Sequence, residues 1–214
     1  MTRRAVWWLL FIGVFAFVAT RIGLLRFWIF GAVAIAFVMY VTSASDPTLI
    51  PERMRPGGPT ADRGALALIR LFATIELTIA LLDIGRFHWS DTVPPQLRAP
   101  AMVVFAAGMM LIARAMVTNR FFSTAIRVQT DRGHLVVTSG PYAIVRHPGY
   151  LGMIVVVPAQ ALALGSWYAL APALVYSMLI TRRAAVEDRY LREHLEGYDA
   201  YAERVRYRIV PGVW

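Results

Sequence analysis

Polar residues suited to binding a charged ligand are concentrated in one short stretch, VRHPGYLG, at positions 145–152. The Arg-bearing segment QTDRGHLVVTSGPYAI precedes this stretch, and the apolar run MIVVVPAQALALG follows it. Charged side chains and irregular backbone are unfavourable next to a membrane-like environment. The presence of Arg146, His147 and Tyr150 at this boundary therefore indicates that these residues face a ligand.

A second polar cluster, Arg182, Arg183, Glu187 and Asp188, follows the last apolar segment. Arg183 and Glu187 are four residues apart, so a helix places them on one face. That spacing fits an ordinary surface ion pair as well as a pair of ligand-binding groups. No metal site is predicted, because the four His residues have unrelated spacings and the chain has no Cys. No Gly-rich phosphate loop follows a strand, which argues against a nucleotide-binding α/β fold.

The composition is that of a polytopic membrane protein. Of the 214 residues, 58% are hydrophobic, and the mean hydropathy is +0.55, which is too apolar for an ordinary soluble domain. The formal net charge is +9, and all 22 basic residues are Arg. Because these Arg residues flank apolar runs, they indicate membrane topology and contact with lipid headgroups rather than nucleic-acid binding.

Six apolar segments predict an all-α polytopic membrane protein with five to six transmembrane helices. They are residues 5–19, 24–42, 65–82, 99–118, 151–164 and 168–181. The first lacks a small-residue cleavage site and is interpreted as a retained span rather than a signal peptide. The last two are shorter than the roughly 20 residues that a span needs. They resemble a helical hairpin, and the sequence leaves open whether both cross the membrane.

The segment after the last apolar run has the pattern of amphipathic tail helices. Val186, Tyr190, Leu191 and Leu195 have helical spacing, Gly197 is expected to end or kink that helix, and a second helix is predicted over residues 198–206. The chain is predicted to divide into transmembrane helices at 1–118 and a region at 119–214 that contains the helical hairpin and the cytosolic tail. Arg placement puts both termini and residues 119–148 in the cytoplasm. The expected location is the plasma membrane of a bacterium.

The sequence HLVVTSGPYAIVRHPGYLG, followed by RxxxED at 183–188 and a tail rich in Tyr and Arg, resembles the isoprenylcysteine carboxyl methyltransferase family. The resemblance covers residues 129–211 and extends to phospholipid N-methyltransferases. It implies that the region 119–214 is the cofactor-binding catalytic region. It implies S-adenosylmethionine as cofactor and S-adenosylhomocysteine as product, with the site at the cytosolic membrane boundary. It also implies a lipophilic or prenylated acceptor that arrives from the bilayer.

The same resemblance implies roles for individual residues. Those implied to bind the cofactor are Gln129, His134, Leu135, Val136, Val137, Tyr142, His147, Pro148, Gly149, Tyr150 and Glu187. Arg183, Glu187 and Arg146 are implied at the catalytic centre, with Arg183 binding the substrate. The family often has two consecutive Glu residues, whereas this chain has Glu187 and Asp188, so the role of Asp188 is open.

The predicted function is O-methylation of a prenylcysteine-like carboxylate. A carboxylate is ionised near neutral pH, so its methylation needs no general base, and an Arg fork suits it better than Lys. Three alternatives stay open: a phospholipid N-methyltransferase, an NADPH-dependent membrane reductase of the steroid 5-alpha-reductase type, and a non-enzymatic scaffold for anionic lipids. Membrane lipids are expected partners, and the sequence indicates no obligate protein partner. It identifies neither the acceptor nor the oligomeric state. Glu76, near the middle of its apolar segment, is expected to face protein or a wet cavity.

Overall fold

The computed structural model describes residues 25–46, 49, 53 and 62–214, and within these ranges it contains helices and irregular segments but no strand. The α-helices are α1 (Leu25–Ala44), α2 (Arg63–Leu82), α3 (Pro95–Thr118), α4 (Pro148–Leu164), α5 (Leu170–His194) and α6 (Tyr198–Arg204). The all-α prediction is confirmed for this part of the chain. The apolar segment predicted at 5–19 lies outside the described residues.

Two helical stretches in the described part are long and apolar enough to cross a membrane, Gly64–Phe87 and Pro95–Thr118, each of 24 residues. A helix rises about 1.5 Å per residue, so this length reaches about 36 Å and exceeds a hydrocarbon core of about 30 Å. Two shorter apolar helices, Trp28–Ala44 and Pro148–Leu164, contribute to the same core. These helices have the composition of an integral membrane protein. The total of five to six spans stays a prediction.

Helices α3 and α4 pack closely because both have glycine at their contact. A Cβ atom on Gly152 would lie 2.8 Å from the carbonyl oxygen of Gly108 and 2.6 Å from Cγ1 of Ile112. A Cβ atom on Gly108 would lie 2.6 Å from the side chain of Val156. Small residues at such a contact let two helix backbones approach each other. This approach fixes the position of α4 against α3.

Helices α4 and α5 form the predicted hairpin, and a buried polar cluster fixes its turn. Gly165 ends α4 with a φ of 98°, a conformation that favours glycine. The hydroxyl of Ser166 donates to Oδ2 of Asp83 at 2.6 Å, and the hydroxyl of Ser90 donates to the same oxygen at 2.5 Å. All three side chains are buried. We call Asp83, Ser90 and Ser166 the hairpin clamp; it ties the turn to the loop after α2.

Helix α5 corrects the predicted division between the last apolar segment and a separate amphipathic tail helix. The sequence placed a boundary at residue 181, whereas α5 is one continuous helix of 25 residues. Residues 182–185 are Arg-Arg-Ala-Ala, and both residue types are strong helix formers, so nothing interrupts the helix there. It ends at His194, before Gly197, and Gly197 with a φ of 80° precedes α6. Helix α6 ends at Arg204, earlier than the predicted residue 206.

Candidate active site

The segment between α3 and α4, residues 119–147, is mostly irregular and forms one wall of the candidate site. Side chains satisfy several of its backbone groups. The side chain of Asn119 accepts a hydrogen bond from the backbone N–H of Phe121 at 2.8 Å, and the side-chain amide of Gln129 donates to the carbonyl of Phe121 at 2.7 Å. Gln129 is 1% exposed, and its side-chain oxygen accepts a hydrogen bond from Arg132. Because buried backbone groups need partners, Gln129 holds the shape of this wall.

His134 is a neutral residue of the same wall. Its Nδ1 accepts a hydrogen bond from the backbone N–H of Gln129 at 3.2 Å, and its ring stacks on Phe121 with the centroids 4.3 Å apart. Burial, together with the positive charges of Arg127 and Arg132, lowers the pKa of His134 to about 4. The imidazole is therefore neutral at pH 7. With Nδ1 accepting, Nε2 carries the proton.

A cavity of about 260 Å³ lies between this wall, the first turns of α4 and one face of α5. Its volume is close to the lower end of the range for small-molecule sites, roughly 300–1,000 Å³. The predicted site residues that line it are His134, Leu135, Val136, Val137, Tyr142, Arg146, His147, Gly149, Tyr150, Arg183 and Glu187. Helices α2, α4 and α5 also contribute apolar and aromatic residues to the lining: Leu66, Ile69, Met153, Tyr176 and Ile180. The cavity thus has a polar part and an apolar part.

Two predicted cofactor-binding residues do not line the cavity. Gln129 lies behind the wall and holds the backbone of Phe121, as described above. Pro148 is buried at the start of α4, where proline lacks the N–H that the first turn leaves unpaired. The contacts of both residues support the cavity from outside.

Tyr150 lies between Arg183 and Glu187. Nε of Arg183 donates a hydrogen bond to the hydroxyl oxygen of Tyr150 at 3.0 Å, and that hydroxyl donates to Oε2 of Glu187 at 2.5 Å. Arg183 is 4% exposed. The spacing of Arg183 and Glu187 also fitted an exposed surface ion pair. The buried guanidinium, with a tyrosine hydroxyl between it and the carboxylate, argues against that interpretation.

The guanidinium of Arg183 has one unused donor on the cavity wall. Nη2 donates to the carbonyl of Thr124 at 2.7 Å. Nη1 is buried without a hydrogen-bond partner among the described residues, although it forms an ion pair with Oδ2 of Asp62 at 3.6 Å. An unsatisfied buried donor costs about 1–3 kcal/mol, and more when it is charged. An anionic ligand would satisfy it.

Asp188 joins three parts of the chain. Its Oδ1 accepts hydrogen bonds from Nε of Arg146 at 2.7 Å and from the hydroxyl of Tyr198 at 3.0 Å. Its Oδ2 accepts from Nη2 of Arg146 at 3.2 Å and from Nε of Arg208 at 3.0 Å. Nε2 of His147 lies 3.2 Å from Oδ1. The carboxylate thereby connects α5 with the turn before α4 and with the C-terminal segment.

The electrostatics of this group keep Asp188 ionised. Burial acts to raise the pKa of Asp188, but hydrogen bonds from His147 and Arg146, together with their positive charge, outweigh burial and hold the pKa well below its usual value. Burial and the negative charge of Asp188 raise the pKa of Tyr198. Its hydroxyl therefore stays protonated and donates to the carboxylate.

The resemblance placed Arg146 at the catalytic centre. In the structure, its guanidinium donates hydrogen bonds to the carboxylate of Asp188 and to backbone carbonyls. Besides Asp188, its guanidinium donates through Nη1 to the carbonyls of Val205 and Arg206, both at 2.8 Å. Its backbone N–H donates to the carbonyl of Tyr207 at 3.0 Å. These contacts hold the C-terminal segment against the turn before α4.

The fold and the cavity define a class: a helical integral membrane protein with a candidate ligand site, where buried Arg183 and partly buried Glu187 lie on a cavity that apolar residues also line. Residues 99–193 match the model of the isoprenylcysteine carboxyl methyltransferase (ICMT) family. The matched residues run from α3 to the end of α5. They include the irregular wall, Tyr150, Arg183, Glu187 and Asp188, whereas α6 lies outside the match.

Curated proteins are similar to part of the chain. A probable protein-S-isoprenylcysteine O-methyltransferase of Oryza sativa subsp. indica is 30% identical over 107 residues, 49% of this chain and 56% of that protein. Protein-S-isoprenylcysteine O-methyltransferase B of Arabidopsis thaliana is 31% identical over 107 residues, 49% of this chain and 54% of that protein. A Delta(14)-sterol reductase of Mus musculus is 32% identical over 90 residues, 41% of this chain and 22% of that protein. The chain thus matches about half the length of the two methyltransferases.

Proposed function

We propose that this chain is an integral membrane methyltransferase that transfers a methyl group from S-adenosylmethionine to the carboxylate of a prenylcysteine-like acceptor. The observation that carries the proposal is the unused Nη1 donor of buried Arg183 on the wall of a cavity with an apolar part. A guanidinium can bind a carboxylate through two parallel hydrogen bonds. The family match and the names of the two plant relatives support the same reaction.

The polar part of the cavity has groups that fit the cofactor. Glu187 supplies a carboxylate for the ammonium group, and Tyr150 uses only its Oε2. Leu135 and Val136 supply apolar surface, and neutral His134 supplies an N–H donor without adding a positive charge. Gly149 allows the ring of Phe122, in the irregular wall, to approach α4, because a Cβ atom at position 149 would lie 2.6 Å from that ring. These residues would hold S-adenosylmethionine.

The chemistry places few demands on the protein. When bound, S-adenosylmethionine supplies an electrophilic methyl group: a carboxylate oxygen forms a bond to its carbon while the carbon–sulfur bond breaks and leaves the electron pair on sulfur. An acceptor carboxylate is already ionised at neutral pH, so no residue has to remove a proton. Arg183 would orient the carboxylate, and Glu187 would position the cofactor. Most of the rate enhancement would come from alignment of the two reactants.

The apolar part of the cavity suits the hydrocarbon chain of the acceptor. Three helices contribute these residues: Leu66, Ile69, Met153, Tyr176 and Ile180. Burial of apolar surface contributes about 25 cal/mol per Å². A prenyl chain bound here would contribute affinity and would keep water away from the carboxylate. A free carboxylate without such a chain should therefore be a poor acceptor.

A membrane reductase is the second candidate, and the similarity to a sterol reductase over 90 residues favours it. Phospholipid N-methylation is less well supported, because an ammonium acceptor would meet the positive charge of Arg183 instead of a carboxylate. An amine acceptor must also lose a proton first, so its rate would rise with pH through the titration of the amine.

Ligand binding separates these functions. Labelled S-adenosylmethionine and labelled NADPH should be titrated against the full chain purified in detergent, followed by methyl transfer to a prenylcysteine analogue. We expect S-adenosylmethionine to bind, NADPH not to bind, and the analogue to be methylated, whereas the same analogue with an amide in place of the carboxylate should not react. Binding of NADPH alone would favour the reductase. Binding of neither would favour the lipid scaffold.

We further propose that the cavity opens to the cytoplasm. The segment 119–147, which follows the C-terminal end of α3, carries four Arg residues. The loop between α2 and α3 precedes the N-terminal end of α3 and so lies on the other side. The positive-inside rule assigns the Arg-rich side to the cytoplasm. A reporter fused after Trp214 should read as cytoplasmic, and one inserted between residues 88 and 94 should read as external. The reverse result would contradict this orientation. The plasma membrane of a bacterium stays a prediction.

A further inference from the structure

One hydroxyl group connects the two charged residues that the proposed function assigns to different ligands. The Tyr150 oxygen accepts a hydrogen bond from Arg183 at 3.0 Å and donates one to Glu187 at 2.5 Å. Arg183 and Glu187 lie one helical turn apart on α5, and Tyr150 reaches them from the first turn of α4. The acceptor site and the cofactor site therefore share a hydrogen-bonded link that comes from neither ligand.

Hydrogen bonds in series polarise one another, most strongly where water is excluded. Arg183 withdraws electron density from the Tyr150 oxygen and so strengthens the bond that the hydroxyl donates to Glu187. That bond partly neutralises the Glu187 carboxylate. When an acceptor carboxylate binds Arg183, the guanidinium withdraws less density and the bond to Glu187 weakens. Glu187 then presents more negative charge to the ammonium group of the cofactor.

We propose that Tyr150 is a positioning residue that couples acceptor binding at Arg183 to cofactor binding at Glu187. Each ligand then binds more tightly when the other is present. This inference rests on the proposed function, because it needs both ligands to bind. The coupling is reciprocal by thermodynamic linkage, so each ligand changes the affinity of the other by one and the same factor. The expected factor is at least about fivefold, the lower end of the usual range for coupled sites.

The test measures binding without turnover. S-Adenosylhomocysteine replaces the cofactor, because its neutral sulfur donates no methyl group and removes direct attraction between a sulfonium and the acceptor. Its Kd is measured on the full chain with and without a saturating prenylcysteine carboxylate, and the reverse titration checks reciprocity. In the wild-type chain the acceptor should lower the Kd at least about fivefold. In Tyr150→Phe both ligands should still bind, and the factor should fall to about one.

Tyr176→Phe is the matched control. Tyr176 lines the same cavity, and its hydroxyl makes no hydrogen bond to Arg183 or Glu187 among the described residues. Like Tyr150→Phe, this substitution removes one tyrosine hydroxyl, but it leaves the hydrogen bonds of Tyr150 to Arg183 and Glu187 intact. The coupling factor should therefore persist. Loss of coupling in Tyr176→Phe as well would mean that any lost hydroxyl loosens the cavity, and it would overturn the role of Tyr150.

Other outcomes also decide the matter. If both ligands bind the wild-type chain with a factor of one, the coupling is overturned while the proposed function stands. If neither ligand binds, the proposed function fails together with the coupling. Should Tyr150→Phe not fold, Glu187→Gln takes its place, because the amide oxygen still accepts from Tyr150 without the charge. The factor should then fall towards one, and an unchanged factor would overturn the proposal.

Discussion

Arg146 donates two hydrogen bonds to Asp188, from Nε at 2.7 Å and from Nη2 at 3.2 Å, and both side chains are buried. The pair joins α5 to the turn that precedes α4, over 42 residues of sequence. Asp188 does not line the cavity, whereas its neighbour Glu187 does. The two consecutive acidic residues thus have different positions: one lies on the cavity, and the other holds the elements that form it.

Asp188→Asn should destabilise the fold. Removal of one partner from a buried ion pair typically costs about 3–5 kcal/mol, because the remaining charge stays buried without compensation. The free energy of unfolding in detergent would measure this loss. Glu196→Gln, an exposed acidic residue two positions beyond α5, is the control and should change stability by at most about 0.5 kcal/mol. Equal, small effects of the two substitutions would contradict a structural role for Asp188.

The stability should also depend on pH through Asp188. Because its pKa is lowered in the folded state, its contribution is fully present above the unfolded-state pKa of about 3.9 and is lost as pH falls below that value. The free energy of unfolding should therefore fall as pH is lowered from about 5 to 3. Asp188→Asn should remove a large share of this decrease. A pH dependence that is the same in both proteins would assign it to other carboxylates.

Arg183→Ala should lower methyl transfer while the protein still binds S-adenosylhomocysteine. A lost hydrogen bond to a charged group costs about 1.5–3 kcal/mol, which corresponds to a decrease in kcat/KM of roughly 10- to 150-fold. Arg183→Lys should recover only part of the rate, because an ammonium group lacks the planar fork. Arg182→Ala is the control, since Arg182 is exposed and lies about 100° round the helix. Similar losses at both positions would remove Arg183 from the acceptor site.

Glu187→Gln should weaken cofactor binding. The substitution keeps the size of the side chain and its contact with Tyr150 but removes the charge that would hold an ammonium group. A charge-assisted hydrogen bond contributes about 1.5–3 kcal/mol, so the Kd for S-adenosylmethionine should rise roughly 10- to 150-fold. Isothermal titration of the folded variant would measure this change. An unchanged Kd would mean that another group binds the ammonium.

Gly152→Ala should destabilise the contact between α3 and α4. The added methyl group would lie 2.8 Å from the backbone oxygen of Gly108, which cannot move without its helix. Overpacking of this kind costs about 1–3 kcal/mol. Gly64→Ala in α2 is the matched control, because nothing lies within 4 Å of its added Cβ atom. That control should be neutral or slightly stabilising, since alanine favours helix over glycine. A stable Gly152→Ala protein would contradict the close approach.

The sequence predicted those features that depend on local pattern. Within the described residues, the apolar segments form helices close to their predicted positions, except that α5 continues past residue 181. The short last pair forms a hairpin because Gly165 ends α4 with a positive φ. Glu76 in α2 is 1% exposed, as expected for a carboxyl in the middle of an apolar segment. The polar stretch 145–152 lies at the cavity because its chemistry is unsuited to the apolar environment that follows.

Contacts between distant segments could not be predicted from pattern. Asp62 and Thr124 lie near the guanidinium of Arg183, from parts of the chain that carry no motif. The partners of Asp188 include Tyr198 and Arg208, which the sequence showed only as members of a Tyr- and Arg-rich tail. The position of Asp188 directly after Glu187 was the one sequence feature that could have indicated a buried carboxylate with basic partners. The choice among them depends on how α6 and the C-terminal segment fold back, which no local spacing determines.

Because α5 is unbroken, the number of residues from its first turn sets both the distance and the direction of the side chains in its C-terminal half. The hairpin clamp fixes the turn before Leu170, and Arg183 follows thirteen residues later in the same unbroken helix. At about 1.5 Å and 100° per residue, that interval places the guanidinium about 20 Å from the clamped turn and on one defined side of the helix. A deletion of one residue between them would turn Arg183 away from Tyr150 by more than a quarter of a circle. Under the proposed function, the number of residues between the hairpin clamp and Arg183 therefore sets how far from the hairpin turn an acceptor carboxylate can bind.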